Sequence, residues 1–319
     1  MFLTAPILWL QSWSSPGLTR VMEVISWFGY TRTAIALGVL VAFAFHLRAG
    51  MALLLLLGLN SLAIDLAKTA AAMPRPFVVD PAVRILGWPA PESTARAGEP
   101  VGAADSESGF GFPSGHVSTT VTFVAGLAGV AGVAGRRWVR VTGLVWLSLM
   151  ALSRLYLGRH FIGDVLGGLA LGAVIVGLGM TVLRLPVLAQ STAPREVERA
   201  ALLNALVAAA LLGMALLAGR PDVGDTGRLA GMAMAVLLLA RADMVHLPSR
   251  PLIRAALVML AACSYGVVWA SLTFGLRPLP LPAAAHRLAR SALPAFAMLI
   301  VPAAIACRRR PAVLTRRVA

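Results

Sequence analysis

Three residues whose side chains could do chemistry lie close together in the sequence: Arg154, His160 and Asp164. His160 and Asp164 are four residues apart, a spacing that stacks two side chains on one face of a helix. A carboxylate placed there can hold one imidazole nitrogen and leave the other aimed outward, which makes a neutral histidine an oriented nucleophile or base. Arg154 supplies a planar fork of donors that can grip a pair of anionic oxygens.

The alternative interpretation is an interfacial histidine next to a buried carboxylate that has a local partner. The segment from Phe161 to Leu183 is apolar except for Asp164, so it predicts a membrane-spanning helix. A carboxylate inside such a helix is costly and by default indicates a functional site. We therefore favour a functional role for His160 and Asp164.

A second group of candidate residues lies at the end of an earlier apolar run, where Lys68 is followed by Arg75 and Pro76. Pro74 is expected to end the helix between the two cations, and both could turn back towards one anion. They could equally be a snorkelling lysine and an interfacial arginine. However, Lys68 is the only lysine in a chain with 28 Lys and Arg residues, which favours a site that requires an ammonium group.

The third group is Pro113-Ser114-Gly115-His116, at the start of another apolar run. Proline is favoured just inside a helix start. Ser114 and Gly115 would then present free backbone N–H groups at the positive end of the helix dipole, which is a ready anion site. His116 beside them could donate a proton to a leaving oxygen. A plain helix cap with an interfacial histidine is the alternative.

The composition is that of a multi-pass membrane protein. The chain has 319 residues, of which 59% are hydrophobic and only 13% charged, whereas ordinary proteins carry about 25% charged residues. The net charge of +15 does not indicate nucleic-acid binding, because the arginines flank apolar runs and act as topology signals.

The sequence predicts an all-α, polytopic membrane helix bundle, with a five-span core and about four further spans towards the C terminus. Residues 1–30 are expected to form interfacial helices with tryptophan anchors. The predicted spans cover residues 31–47, 51–72, 115–134, 139–153, 161–183, 201–219, 229–247, 253–275 and 290–307.

These spans suggest a division of the chain into four parts. After residues 1–30, the membrane core covers residues 31–185 and includes a long polar loop at 77–110. A cytoplasmic linker is predicted at 186–200, and residues 201–319 form a four-span block with no assigned role. Small residues such as Gly168 and Gly172 are expected to let helices approach closely.

Arginine placement predicts the orientation in the membrane. Arginines lie in the alternate connections near residues 48, 136–140, 184–199 and 241–254 and in the C-terminal tail. The positive-inside rule makes these connections cytoplasmic. All three groups of candidate residues then share the extracytoplasmic face of the plasma (inner) membrane.

Together the three groups resemble, position by position, the three-part signature of the type 2 phosphatidic acid phosphatase superfamily, and the resemblance covers about residues 20–185. It implies that His160 is a nucleophile forming a phosphohistidine, that Asp164 orients it and that His116 protonates the leaving group. The resemblance also implies that the phosphoryl oxygens are bound by Lys68, Arg75, Arg154, Ser114 and Gly115. No metal and no other cofactor is expected.

The resemblance implies a metal-independent integral membrane phosphatase that hydrolyses a lipid phosphate or diphosphate monoester at the extracytoplasmic face. Candidate substrates are undecaprenyl diphosphate, phosphatidic acid, phosphatidylglycerol phosphate and sphingoid phosphates. Two alternatives stay open: a phosphotransferase with a lipid or sugar acceptor, and a non-catalytic lipid-binding or transport protein. Membrane lipid is an expected partner, nucleic acid is not, and the C-terminal spans are a candidate surface for a homo-oligomer.

Three further expectations concern single segments or residues. The loop at 77–110 is hypothesised to be a lid over the site. Asp65 either pairs with Lys68 or lines the pocket. Asp243 and His246 are expected to form a local polar cluster near Arg241, with no catalytic role.

Overall fold

The computed structural model describes residues 2–87, 110–217, 223–275, 282–306 and 308–309. The α-helices in this part of the chain are α1 (Ala5–Ser12), α2 (Pro16–Trp27), α3 (Thr31–Leu40), α4 (Leu47–Ala71), α5 (Pro76–Val79), α6 (Gly115–Val130), α7 (Arg137–Tyr156), α8 (Ile162–Thr181), α9 (Leu185–Gln190), α10 (Pro194–Leu217), α11 (Val223–Arg241), α12 (Pro251–Ala270) and α13 (Ala283–Ala306). Two π-helical segments, Val41–Phe45 and Ser271–Gly275, follow α3 and α12, and two short antiparallel strands pair, β1 (Met244–His246) and β2 (Arg308–Arg309). The predicted all-α fold is confirmed.

Seven helical segments of the described chain are long and apolar enough to cross a membrane, which confirms a polytopic bundle. The predicted number of nine spans is not reached. The helix in the first predicted span, α3, forms a pair with α2 that is bent by 59°, and this pair would make an eighth span if it counts as one. The helix in the third predicted span, α6, has only 16 residues.

The segment predicted as a linker, residues 186–200, is mostly helical. It contains most of α9 and the first turns of α10, which begins at Pro194 rather than near residue 201. Proline is favoured at the first position of a helix, and an acidic residue such as Glu196 is favoured in its first turn. The charged residues therefore extend the helix beyond its apolar part, where hydropathy alone gave no signal.

Contacts group the chain into two units. The first unit contains Met1–Ala36 and Leu56–Val182, and the second contains Leu37–Leu55 and Leu183–Ala319. This grouping differs from the predicted division at residue 185, because residues 37–55 group with the C-terminal helices. After Arg48, the first half of α4 is apolar on all sides, and such a sequence does not reveal which helices it will pack against.

The core of the first unit joins α2 to α6, α7 and α8. Its buried cluster consists of Met22, Ile25, Val117, Met150, Tyr156, Leu157 and Val165. Within the unit, α6 and α8 pack closely, as the glycine spacing predicted. A Cβ added at Gly172 would lie 2.9 Å from the carbonyl oxygen of Ser118. Small residues thus bring the backbones of α6 and α8 into contact.

A polar contact also links α4 and α6. The Ser118 hydroxyl donates to the side-chain oxygen of Asn60 at 2.6 Å, and the Asn60 amide nitrogen donates to the Thr119 hydroxyl at 3.3 Å. All three residues are buried. Hydrogen bonds between membrane helices contribute about 0.6 kcal/mol on average, so their main effect here is to fix the register of α4 against α6.

The second unit is built around α11, which packs against α10 and α13 and is more deeply buried than α10, α12 or α13. Buried Arg48 donates to the carbonyl oxygen of Ser191 at 2.8 Å and lies 3.8 Å from the carboxylate of Asp243. Asp243 therefore has a charged partner that is remote in sequence, and its predicted cluster with His246 stays a prediction. Arg241 pairs instead with Glu198, with 3.0 Å between nitrogen and oxygen.

Candidate active site

The turn between α7 and α8 carries the group Arg154, His160 and Asp164, and its conformation explains the spacing from Arg154 to His160. Helix α7 ends in a Schellman motif, in which Gly158 N–H donates to the carbonyl of Leu155 at 3.0 Å and Arg159 N–H donates to that of Arg154 at 3.1 Å. Gly158 has a φ of +72°, in the left-handed region that favours glycine at this position. The chain therefore turns sharply after α7, and His160 follows the turn.

His160 and Asp164 meet, but not on one helix face as the spacing suggested. Phe161 is the N-cap of α8, so His160 precedes the helix and Asp164 occupies its first turn. The Asp164 carboxylate accepts the backbone N–H of Phe161 at 2.9 Å, and the same oxygen lies 3.4 Å from Nδ1 of His160. The contact comes from a carboxylate that caps its own helix and reaches the residue before the cap.

The group Pro113-Ser114-Gly115-His116 forms the start of α6 and is joined to α8 through the backbone. The Ser114 N–H donates to the carbonyl oxygen of Asp164 at 2.8 Å, so this N–H, which was expected to be free, already has a partner. The helix begins at Gly115, which leaves Pro113 outside it. The buried Ser114 hydroxyl has no hydrogen-bond partner among the described residues. Ser114 can therefore offer a ligand its hydroxyl rather than its amide.

The group Lys68, Arg75 and Pro76 spans the end of α4, which stops at Ala71, three residues before Pro74. Lys68 lies in the last turn of α4, and Arg75 caps the one-turn helix α5. Arg75 is buried, and its guanidinium donates to the carbonyl oxygen of Arg159 at 3.4 Å. Between Lys68 and Arg75, the carbonyl oxygen of Met73 accepts a hydrogen bond from the Gly111 N–H, at 2.7 Å.

The histidines of the site lie in a field of positive charge. His160 is 2% exposed and His116 is 8% exposed. Burial and then the charges of Arg75, Arg154 and Lys68 lower the pKa of His160 well below its ordinary value. Its imidazole is therefore neutral near pH 7, with a lone pair available for attack on an electrophile.

Arg159 is a fourth cation at the site that the sequence reasoning passed over. It is 4% exposed, and its charge acts on His116 together with those of Arg154, Lys68 and Arg75. A signal was present, since Arg159 immediately precedes His160 in a segment that is otherwise short of charge. Four cations against one carboxylate in the motifs make the site suited to a multiply charged anion.

Ser26, Gly29 and Tyr30 also contact the site, although no motif in the sequence indicates this. The Ser26 hydroxyl accepts a hydrogen bond from the Arg154 guanidinium. The rings of Tyr30 and His116 are 4.6 Å apart, edge to face. The tryptophans of residues 1–30 predict an interfacial location, which remains a prediction. In the structure, α2 of this segment packs against α7.

The other expectations have different outcomes. Asp65 is half-buried on α4, and its pairing with Lys68 remains a prediction. Most of the hypothesised lid, residues 88–109, lies outside the described residues. No group of three or more His, Cys, Asp or Glu side chains in the described ranges is arranged to hold a metal ion.

Comparison with known protein families bears directly on these motifs. The family model described as "PAP2 superfamily" matches residues 49–185, a segment that contains all three motifs. Residues 49–185 belong to the PAP2 superfamily. The PAP2 segment ends close to the end of α8, so the C-terminal helices lie outside it, as do residues 26–30. No curated protein and no solved structure matches the chain significantly. Membership of the PAP2 superfamily indicates phosphatase activity on phosphate esters.

Proposed function

We propose that this protein is an integral membrane phosphatase that hydrolyses a lipid phosphate or diphosphate through a phosphohistidine at His160. One observation carries the proposal: a buried histidine is held by a carboxylate, at 3.4 Å, beside buried arginines. A buried cluster of positive charge is costly unless an anion occupies it for part of the working cycle. A phosphoryl group is the anion that the PAP2 match favours.

In the first step, Nε2 of His160 attacks phosphorus in line with the leaving oxygen. We assign Nδ1–H as the donor to the Asp164 carboxylate, 3.4 Å away, which leaves the lone pair on Nε2. The new N–P bond forms as the bond from phosphorus to the ester oxygen breaks, and that oxygen keeps the electron pair. His116 gives it a proton, so the leaving group departs as a neutral alcohol or, for a diphosphate, as a protonated phosphate.

In the second step, a water molecule attacks the phosphohistidine. His116, now unprotonated, accepts a proton from this water as the new P–O bond forms. The N–P bond breaks, and its electron pair returns to Nε2 of His160. Inorganic phosphate leaves, and both histidines regain their starting protonation states.

The cations and the start of α6 stabilise the charge on phosphorus in both steps. Lys68, Arg75 and Arg154 neutralise the equatorial oxygens, and Gly115 lets one of them approach the positive end of α6. The Ser114 hydroxyl donates to another. Because these groups already supply the positive charge that a phosphoryl transfer needs, we propose that the reaction requires no metal ion.

Two features support a lipid substrate at the extracytoplasmic face. The seven candidate spans leave little of the described chain that could form a separate domain for a soluble substrate. The arginine-rich connections alternate with those carrying the three motifs, which favours a site on the side opposite to the cytoplasm. Undecaprenyl diphosphate, phosphatidic acid, phosphatidylglycerol phosphate and sphingoid phosphates are the substrates to test first.

Phosphate release by the purified protein in detergent tests the proposal. The experiment compares the wild type with His160→Ala and Asp164→Asn on these lipids in the presence of EDTA. We expect release by the wild type, none by His160→Ala, and a loss on the order of 10²- to 10⁴-fold for Asp164→Asn, which keeps the shape but weakens the orientation of the imidazole.

A matched control and acid-quench trapping sharpen this test. His286→Ala changes a histidine of α13, in the second unit, and should retain wild-type activity. Phosphate from a labelled substrate should stay bound to the wild type after quenching, as an acid-labile phosphohistidine. Folded wild-type protein that releases no phosphate from any of these lipids would overturn the proposal, and phosphate appearing on an added alcohol rather than in solution would identify a transferase.

A further inference from the structure

The corner between α2 and α3, residues 26–30, meets the site at two points although it lies outside the PAP2 segment. The two helices are bent by 59° at this corner. It belongs to the first unit, together with all three motifs. The corner therefore approaches the site from a part of the chain whose sequence carries none of the motif residues.

Ser26 fixes the corner to the site. The residue is buried, and its hydroxyl accepts a hydrogen bond from the Arg154 guanidinium. A hydrogen bond to a charged group is stronger than one between neutral groups. The bond therefore fixes the distance between this end of α2 and the last turn of α7, which carries Arg154.

Gly29 and Tyr30 then pack directly on His116. A Cβ added at Gly29 would lie 2.6 Å from Cδ2 and 2.8 Å from Cβ of His116, so only glycine fits without moving the histidine. The Tyr30 ring meets the imidazole edge to face at 4.6 Å, with 64° between the planes. Edge-to-face pairs are a favoured arrangement of two rings, so this contact favours one orientation of the imidazole.

We propose that Gly29 and Tyr30 are positioning residues that hold the His116 imidazole in line with the leaving oxygen. The inference rests on the proposed function, in which His116 is the proton donor. A general acid must hold its proton within hydrogen-bonding reach of the departing atom, and an error of about 1 Å can cost 10²-fold in rate. Two contacts on one imidazole restrict its rotation about both side-chain bonds.

The test uses the dependence of the rate on the leaving group. Dodecyl phosphate and S-dodecyl phosphorothiolate have the same chain, but in the second compound sulfur replaces the bridging oxygen. An alkoxide needs a proton as it leaves, whereas a thiolate is stable enough to leave without one. A misplaced His116 should therefore slow hydrolysis of the oxygen ester much more than that of the sulfur analogue. A loss of folding or of phosphate binding should slow both equally.

The measured quantity is kcat/KM for both compounds, since it reports the step in which His160 is phosphorylated. For Tyr30→Leu we expect a loss of about tenfold or more on dodecyl phosphate and of no more than about threefold on the sulfur analogue. Gly29→Ala should show the same selectivity, because the added methyl group displaces His116. His116→Ala calibrates the greatest selectivity that the assay can show, and Tyr30→Phe, which keeps the ring contact, should restore most of the rate.

Phe28→Leu provides the matched control. Phe28 is an aromatic residue of the same corner, but its ring packs on Trp146, at 5.5 Å, rather than on a histidine. It should show no selectivity between the two compounds. If Tyr30→Leu does not yield folded protein, Gly29→Ala decides the matter, because its added methyl group meets His116 directly.

Equal losses on both compounds, or no loss, for Tyr30→Leu and Gly29→Ala would overturn the inference and leave the proposed function intact. Folded wild-type protein that fails to release phosphate from dodecyl phosphate and from the lipids would overturn both.

Discussion

At the scale of single residues, the electrostatic state of His160 decides what the site can do. An imidazole surrounded by Arg75, Arg154 and Lys68 and almost closed off from water resists protonation. Asp164 contacts Nδ1 and can orient the ring, whereas burial and the cations around it keep the ring uncharged. In the proposed mechanism, His160 can therefore act as a nucleophile at pH values where an exposed histidine would be partly protonated.

The lowered pKa of His160 predicts how stability depends on pH. In the unfolded chain a histidine titrates near pH 6.5, so below that pH the unfolded state binds more protons than the folded state does. The contribution to stability is therefore complete above about pH 6.5 and is lost as the pH falls towards the lowered pKa.

We expect the Tm of the wild type in detergent to fall between about pH 7 and pH 5. His160→Asn should remove part of this dependence, at most about 1.4 kcal/mol per pH unit. His286→Asn, in the second unit, should leave it as it is. An unchanged dependence in His160→Asn would contradict the prediction.

The residues show what spacing can and cannot predict. Lys68, Arg75, Ser114, His116, Arg154, His160 and Asp164 were all singled out from sequence. Whether an N–H is free depends on a partner elsewhere in the chain, so the bond from Ser114 to the carbonyl of Asp164 could not be foreseen. Tyr30 gave no signal because an aromatic residue near a membrane interface has an ordinary explanation.

At the scale of elements, α1 links two segments of the first unit through hydrogen bonds of Gln11. Gln11 is buried, and its amide nitrogen donates to the carbonyl oxygens of Arg84, at 2.6 Å, and Tyr156, at 3.1 Å. Its own side-chain oxygen accepts the Arg84 N–H at 3.0 Å. One side chain thus satisfies three backbone groups, and it connects the loop after α5 to the end of α7, next to Gly158.

Replacement of Gln11 by alanine should destabilise the protein by about 1–3 kcal/mol, because buried backbone groups lose their partners. A lower Tm of the purified protein would measure this. Ser12→Ala is the control on the same helix, since Ser12 is exposed and its hydroxyl donates locally to the carbonyl oxygen of Trp9, at 2.7 Å. Equal Tm values for Gln11→Ala and the wild type would show that these hydrogen bonds of α1 do not stabilise the protein.

The helices themselves were largely predictable because an apolar run predicts a helix in the membrane. Their ends were less so: α10 begins earlier than its hydropathy indicates because Pro194 starts it. The packing of α1 and α2 was not predictable. Contacts such as Gln11 with Arg84 join residues that are 73 positions apart, and no local pattern encodes such a pair.

At the scale of the whole molecule, the order of the described helices predicts the directions in which α6 and α7 cross the membrane. The α7 helix returns to the end of the first unit from which α6 starts, since Ser114, Asp164 and Arg154 all lie at the site. Because α7 is long enough to cross a membrane, α6 with the turn that follows it must cover the same depth in the opposite direction. We therefore expect α6 to cross as well.

Cysteine labelling measures this topology in intact cells. In a background in which Cys263 and Cys307 are serine, Ser15→Cys before α2 should react with a membrane-impermeant maleimide from outside. Arg195→Cys, in the exposed first turn of α10, should react only after the cells are permeabilised. Labelling of both residues from the same side would contradict the predicted orientation.

The short length of α6 has a consequence for the bilayer itself. Sixteen residues make a helix about 24 Å long, whereas the hydrocarbon layer of a typical bilayer is about 30 Å thick. A membrane meets such a mismatch by thinning around the short segment. His116 is the second residue of α6, so the local thinning would draw the head-group layer down towards the histidines. A lipid could then present its phosphate while its acyl chains stay among their neighbours, and the surrounding bilayer would do part of the work of substrate delivery.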